Sequence, residues 1–378
     1  MDGGRHRLEN DSTARLHRSA SSDGPKTSSL EAGLRRYGPF VVAIGIVLGL
    51  LVAFRSIELE TVLAEVARAD RRLLVGAVAV YLLSWPLRGR RYGDVLGTMY
   101  YRVGTAPLTA AIFVSQLANL ALPARAGDGA RAYIIKNRWG VPYSTGGASL
   151  VVERLFDLAT ISALAIGATA WLALSGTASP LEVFTTGGAR RAVLAASVVS
   201  TATVGVGVVL AASARYGSPT GLGARLRSHT WGDRLEPALE AGFQFVGHLQ
   251  AITRRPHSLA AVATTSLAIW SLDVVTAVLV LAAFGTGLEV FPLLAVGTLA
   301  VSVGNLAKVL PLSQGGVGLY EAAFTALIVS ITPIGASTAL AAALVDHALK
   351  NGVTLVGGCL SAGALGLSVS GLADERSE

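Results

Sequence analysis

Asp273 is the only charged residue between Ser258 and Phe284. Runs of about 18 or more apolar residues read as helices that cross a bilayer. Tyr37–Phe54, Ala148–Ser175, Ala192–Ala212 and Ser337–Leu365 read the same way, and Leu73–Leu87, Ala106–Leu122, Val290–Leu310 and Gly318–Thr332 are shorter candidates. With 52% hydrophobic and only 15% charged residues, the chain does not fit an ordinary soluble domain. It is expected to be all-α: a polytopic integral membrane protein with about 7–9 transmembrane helices.

Charge placement sets a provisional topology. The net charge is +7, with 27 arginines and four lysines. Nucleic-acid binding is one reading of such a surplus, but basic loops on the cytoplasmic side of membrane helices explain it better. Arg35 and Arg36 precede the first span and favour a cytoplasmic N-terminus in the cell membrane. Residues 1–36 form a polar Ser/Arg-rich tail with no cleavage pattern after the next apolar run, so they read as a disordered cytoplasmic tail; 366–378 form a second tail. Residues 213–257 carry six arginines against three acids and belong inside, with Leu235, Leu239, Phe243 and Val246 spaced as an amphipathic interfacial helix. Counting crossings from both ends puts the loop Pro123–Gly147, with Arg125, Arg131, Lys136 and Arg138, inside as well, and leaves Ala106–Leu122 without parity unless it dips into the membrane and returns. The basic Arg55–Arg72 segment then lies outside, against the trend. The lone Cys359 reads as a small core residue, and the six scattered histidines offer no metal-ligand spacing, so neither metal nor cofactor is expected.

Two segments repeat each other. "NLALPARAGDG" (Asn119–Gly129) and "NLAKVLPLSQGGVG" (Asn305–Gly318) share Asn-Leu-Ala, then Leu-Pro, then spaced glycines. Each follows a short apolar segment. Copies separated by an odd number of crossings face opposite sides, which makes two half-repeats, about 73–175 and 258–365, an inverted pair with two re-entrant or broken segments. Irregular backbone at membrane depth is tolerated where it is buried in protein or lines a wet cavity. Pro311 ends one helix, Gly315, Gly316 and Gly318 let the chain turn, and Glu321 falls in the first turn of the next, where an acid suits the dipole. A plain surface connector is the alternative.

Charged groups inside a span cost about 2.5–3.5 kcal/mol each on insertion scales, so each needs a partner or a use. Glu153, Arg154 and Asp157 lie together in "VVERLFDLA", as a structural ion cluster or a binding element. Arg88 sits near the inner end of a helix from Leu73 to about Leu96, whereas Arg90 and Arg91 read as snorkelling to the surface. Asp273 needs an unseen partner or a proton. Asp346 and His347 can relay protons, or Asp346 can bridge Lys350 one turn on. Gly45 and Gly49 hint at close helix packing. Nucleotide-loop, nucleophile-elbow and zinc-helix signatures are missing, so the chain is not expected to be an enzyme.

The basic second span, "LPARAGDGARAY", "ERLFD" and "LPLSQGGVGLYEAAF" together resemble the membrane domain of the lysylphosphatidylglycerol synthase/flippase family over roughly residues 34–365. Arg125, Gly127, Asp128 and Arg131 match its Arg-x-Gly-Asp-x-x-Arg element. Glu153, Arg154 and Asp157 match Glu-Arg-x-x-Asp, and Pro311, Gly315, Gly316, Gly318 and Glu321 match its Pro/Gly-rich element. The resemblance implies lipid movement between leaflets by residues 37–365. The family's soluble aminoacyl-transferase domain has no counterpart in this sequence, so lipid aminoacylation is not expected. The expectation is a flippase-like translocator of an anionic phospholipid or polyprenyl-phosphate-linked lipid. Arg88, Arg125, Arg131 and Arg154 would hold the lipid phosphate. Asp128, Glu153, Asp157, Asp273, Gly315, Gly316, Gly318, Glu321 and Asp346 would line a polar path. Rivals are an accessory scaffold for a lipid-modifying enzyme or membrane-associated glycosyltransferase, and an ion- or proton-coupled small-solute transporter using Asp273 and Asp346; an intramembrane enzyme ranks last.

Overall fold

The structure, a computed structural model, describes residues 58–122, 125–175, 256–308 and 314–367. The readings on 1–36, Tyr37–Phe54, Pro311, Ala192–Ala212, the Leu235–Val246 helix and 368–378 lie outside those residues. Among the described residues all regular structure is helical, as a chain built for hydrocarbon requires. The segment expected to be a basic loop holds a short helix, α1 (Leu59–Arg68), with Val62 buried against Leu340 and Ala341.

Among the described residues, eight further α-helices form two sets of four. The first is α2 (Arg71–Thr98), α3 (Thr105–Ala121), α4 (Ala126–Trp139) and α5 (Tyr143–Leu174), of 28, 17, 14 and 32 residues. The second is α6 (Pro256–Ala283), α7 (Val290–Ala307), α8 (Leu319–Ile331) and α9 (Ala336–Ala364), of 28, 18, 13 and 29 residues. At 1.5 Å per residue the outer helices of each set reach about 42–48 Å and the inner ones only about 20–27 Å, against a hydrocarbon core of about 30 Å. Helices α5, α6, α7 and α9 are long and apolar enough to cross a membrane.

Each inner pair is a hairpin of two short limbs, α3 against α4 and α7 against α8. This corrects the reading of the first half. Ala106–Leu122 does not dip and return by itself: it is one straight limb, and the return limb is α4, which its basic residues had marked as a loop. The mismatch arises because Arg131, in the middle of α4, is fully buried against other protein groups and never meets lipid. The two sets interlock, with α2 along α6, α3 on α9 and α7 on α5. Apolar residues of α5, α6, α7, α8 and α9 join in one large core cluster. Cys359 is exposed on the outer face of α9 beside Val356 and Leu360, so it is a surface residue and not a core one.

Candidate functional site

Corresponding helices carry corresponding residues at the same place. Trp85 and Arg88 are the fifteenth and eighteenth residues of α2; Trp270 and Asp273 hold those positions in α6. Asp128 and Glu321 are each the third residue of their return limb. Glu153, Arg154 and Asp157 occupy the eleventh, twelfth and fifteenth positions of α5, and Asp346, His347 and Lys350 the same positions of α9. Three of these correspondences change or reverse the charge: Arg88 with Asp273, Arg154 with His347, and Asp157 with Lys350.

In the first half the charges close on one another. Arg91, not Arg88, is the buried base of α2: its guanidinium lies 2.6 Å from Asp157 and 3.1 Å from Glu153, and it also donates to Ser266 at 2.9 Å. Arg91 therefore does not snorkel; the helix turns it towards α5 and the acids there. Arg131 donates to Glu153 at 2.8 Å and to Ser115 at 3.3 Å. Asp157 also accepts from the indole of Trp270 at 2.9 Å. Arg154 reaches both Asp157 at 3.4 Å and Asp128 at 3.3 Å, so the first break is tied to α5. Asn119, at the end of α3, donates to Asp128 at 3.2 Å.

In the second half Lys350 is the partner that Asp273 lacked in sequence. Its ammonium lies 3.2 Å from Asp273 and 2.9 Å from Asp346, whose other contact is the Tyr320 hydroxyl, donating at 2.6 Å. His347 faces the break itself. Its Nδ1 lies 2.6 Å from Glu321 and its Nε2 3.2 Å from the Gly315 carbonyl, while the other oxygen of Glu321 accepts the Gly318 amide at 2.6 Å. Gly315 and Gly316 have φ of 61° and 77°, in the left-handed region that side chains resist. Both are also crowded. A Cβ on Gly315 would lie 2.9 Å from the Leu120 side chain, so the two breaks touch; one on Gly316 would overlap the stem of Lys308.

Where the breaks meet is a cavity of about 310 Å³. Its charged lining is Arg88, Arg125, Arg154, Lys308 and Lys350 against Asp157 and Asp273. Both acids are already engaged by bases, as described. Arg88, half-buried, has among the described residues a 3.5 Å bond to Ser84 and the face of Trp85; Lys308 lies over the Tyr320 ring at 4.4 Å. Among the described residues no carboxylate pairs with Arg88, Arg125 or Lys308. The indole N–H of Trp85 and Nε of Arg154, both from lining residues, also find no acceptor among the described residues. Gln116, Asn119, Asn305 and Asn351 add carboxamides to the wall.

Of the residues singled out in the sequence, Arg88, Arg125, Arg154, Asp157, Asp273, Gly315 and Gly316 line this cavity. Arg131, Glu153, Asp128, Gly318, Glu321 and Asp346 are not in its wall; they hold the elements that form it. Sequence reasoning passed over Lys308, Arg91 and the clamping role of His347. Lys308 had a signal: it is one of only four lysines, placed directly before a break in an otherwise apolar run. Arg91 and His347 had none, because their roles depend on which face of a helix meets which neighbour.

Comparison with known proteins agrees with this architecture. Residues 40–358 match the family described as the lysylphosphatidylglycerol synthase TM region. The chain is 42% identical over 356 residues to the protein named Glycosyltransferase AglD of Haloferax volcanii, covering 89% of this chain and 57% of that protein. It thus spans little more than half the length of that relative. It is 27% identical over 288 residues to a UPF0104 membrane protein of Methanothermobacter thermautotrophicus, covering 71% of this chain and 76% of the other. The chain belongs to the lysylphosphatidylglycerol synthase transmembrane-region family.

Proposed function

We propose that this chain moves a phosphate-bearing lipid, an anionic phospholipid or a polyprenyl-phosphate-linked lipid, between the leaflets of the cell membrane. The observation that carries the reading is the cavity between the two breaks, where among the described residues Arg88, Arg125 and Lys308 have no carboxylate of their own. Cations gathered around one cavity repel one another, and an anionic ligand between them relieves that repulsion. Guanidinium groups give a phosphate short, charge-assisted and bidentate contacts, and the lining carboxamides suit the hydroxyls of a headgroup. Acyl or prenyl chains would stay in lipid while the headgroup crosses through protein. The matched order, lengths and charged positions of the two sets support an inverted repeat, in which each break serves one side. In this reading the N-terminus is cytoplasmic, Arg131 and Arg154 act by holding the acids, and the chain is not itself a catalyst.

Reconstitution into vesicles carrying head-labelled phosphatidylglycerol tests this. The full chain is expected to expose inner-leaflet label to an impermeant quencher, and Arg88→Met with Lys308→Met to abolish that exposure. Equal rates in protein-free vesicles would overturn the reading. A second reading is favoured by one observation, the name of the longer relative. On it, the membrane domain presents a lipid-linked substrate to a glycosyltransferase, and partner recovery from membranes, with no lipid movement in vesicles, would support it.

A further inference from the structure

We propose that His347 and Glu321 form a single-proton site that latches the Gly315–Gly318 turn against α9, so that opening of this cavity wall is linked to proton release. The latch stands on its own geometry; its use in lipid movement rests on the function proposed above.

The proton count follows from the partners. A carbonyl oxygen only accepts, so the contact of His347 Nε2 with the Gly315 carbonyl at 3.2 Å requires a hydrogen on Nε2. At 2.6 Å, Nδ1 and the Glu321 oxygen also need a hydrogen between them. Either the imidazolium faces a carboxylate or the neutral ring faces a carboxylic acid. In both cases the closed pair holds one proton more than a neutral histidine and an ionised glutamate. Removing it leaves the ring one hydrogen for two acceptors: on Nδ1 it keeps Glu321 and sets the Nε2 lone pair against the Gly315 carbonyl, on Nε2 it keeps the carbonyl and sets the Nδ1 lone pair against the carboxylate. Glu321 also accepts the Gly318 amide, so whichever contact fails, the tie between α9 and the turn is weakened.

The surroundings do not supply a substitute proton. Tyr320 of α8, whose ring centre lies 4.8 Å from the imidazole, donates its hydroxyl to Asp346. Asp346 and Asp273 are both engaged by Lys350, from α9 and α6 respectively. Lys308 of α7 sits over the Tyr320 ring. The turn released by the latch is the same one that packs on the Lys308 stem and on Leu120 of the first hairpin. Both neighbours line the cavity.

The sign is fixed by which state binds more protons. Where both open and closed forms carry the proton, pH does not bias them. Where only the closed form keeps it, each further pH unit favours opening by about tenfold.

Hydrogen–deuterium exchange on the full chain in lipid nanodiscs reads this directly, in peptides covering Gly315–Tyr320, between about pH 5 and 9. After correction for chemical exchange rates, wild-type protection is expected to fall with rising pH. Glu321→Gln is the decisive variant. Its amide donates to Nδ1 of the neutral ring and its oxygen accepts the Gly318 amide, so the latch closes with no titrating proton and protection stays flat. His347→Ala is expected to be unprotected throughout the range. Flat protection in the wild type, or the same step in Glu321→Gln, would overturn the latch. The exchange needs no transported lipid, so failure of translocation in vesicles would remove the proposed function and leave the latch result standing. If phosphatidylglycerol does move, its rate should rise with pH in the wild type and not in Glu321→Gln; an identical rise in both refutes the link.

Discussion

Arg88 and Arg91 lie three residues apart on α2, yet the structure gives them opposite duties, and replacing each by methionine separates them. Arg91 is fully buried and lies within ion-pair distance of two acids on α5. Removing one member of a buried ion pair costs about 3–5 kcal/mol, because the partner is left charged and unpaired. Here the loss falls towards the lower end, about 3 kcal/mol, since Glu153 keeps Arg131 at 2.8 Å and Asp157 keeps Trp270 at 2.9 Å. Arg88 leaves no acid behind, and its long contact with Ser84 is worth less than about 1 kcal/mol. Reversible unfolding in mixed micelles, followed by circular dichroism, should therefore rank Arg91→Met well below Arg88→Met, which stays near wild type. Movement of labelled phosphatidylglycerol in vesicles should be lost in Arg88→Met by about tenfold or more, the equivalent of one charge-assisted hydrogen bond. If Arg88→Met unfolds as readily as Arg91→Met, or Arg91→Met is as stable as wild type, the division between structural and ligand-facing bases is wrong.

Lys350→Met should destabilise by about 3–5 kcal/mol by leaving Asp273 and Asp346 unpaired, and adding Asp273→Asn should restore much of that loss in a double-mutant cycle. Arg125 caps α4 with φ 58°, a conformation that costs a non-glycine residue about 1–2 kcal/mol; the cap of α8 in the second half is Gly318. Arg125→Gly should therefore keep stability within about 1 kcal/mol of wild type while lowering lipid movement, a pairing that a purely structural Arg125 would not give.

Much of the fold was readable because hydrocarbon imposes it: apolar runs of spanning length marked α5, α6 and α9, a shorter apolar candidate marked α7, and Gly/Pro clusters marked both breaks. The return limb α4 was not, because its charges argue for water until Glu153 and Ser115 are seen around Arg131. Adjacent charges on one helix were the other blind spot. Asp346 and His347 invite pairing on paper, but neighbours on a helix point about 100° apart. One faces Lys350 and Tyr320; the other faces the break. The partner of Asp273 was in plain view as a residue type, yet it stands 77 positions away, and only the packing of α6 on α9 brings it within reach.

The two breaks are tied down by the same device with one chemical difference. In each, the third residue of the return limb is an acid held by the twelfth residue of the last helix of its set: Asp128 by Arg154, Glu321 by His347. A guanidinium stays charged at any pH a cell meets, so the first tie does not depend on proton supply. The second does. In the exchange experiment the peptide covering Gly127–Arg131 should consequently show no step where Gly315–Tyr320 does, which makes the first break an internal control in the same sample. Equal steps at both would mean that rising pH loosens the whole bundle, and the asymmetry between an arginine and a histidine at matching positions would then carry no mechanistic weight. A step confined to the second break would mean that protons act on one side of the cavity only.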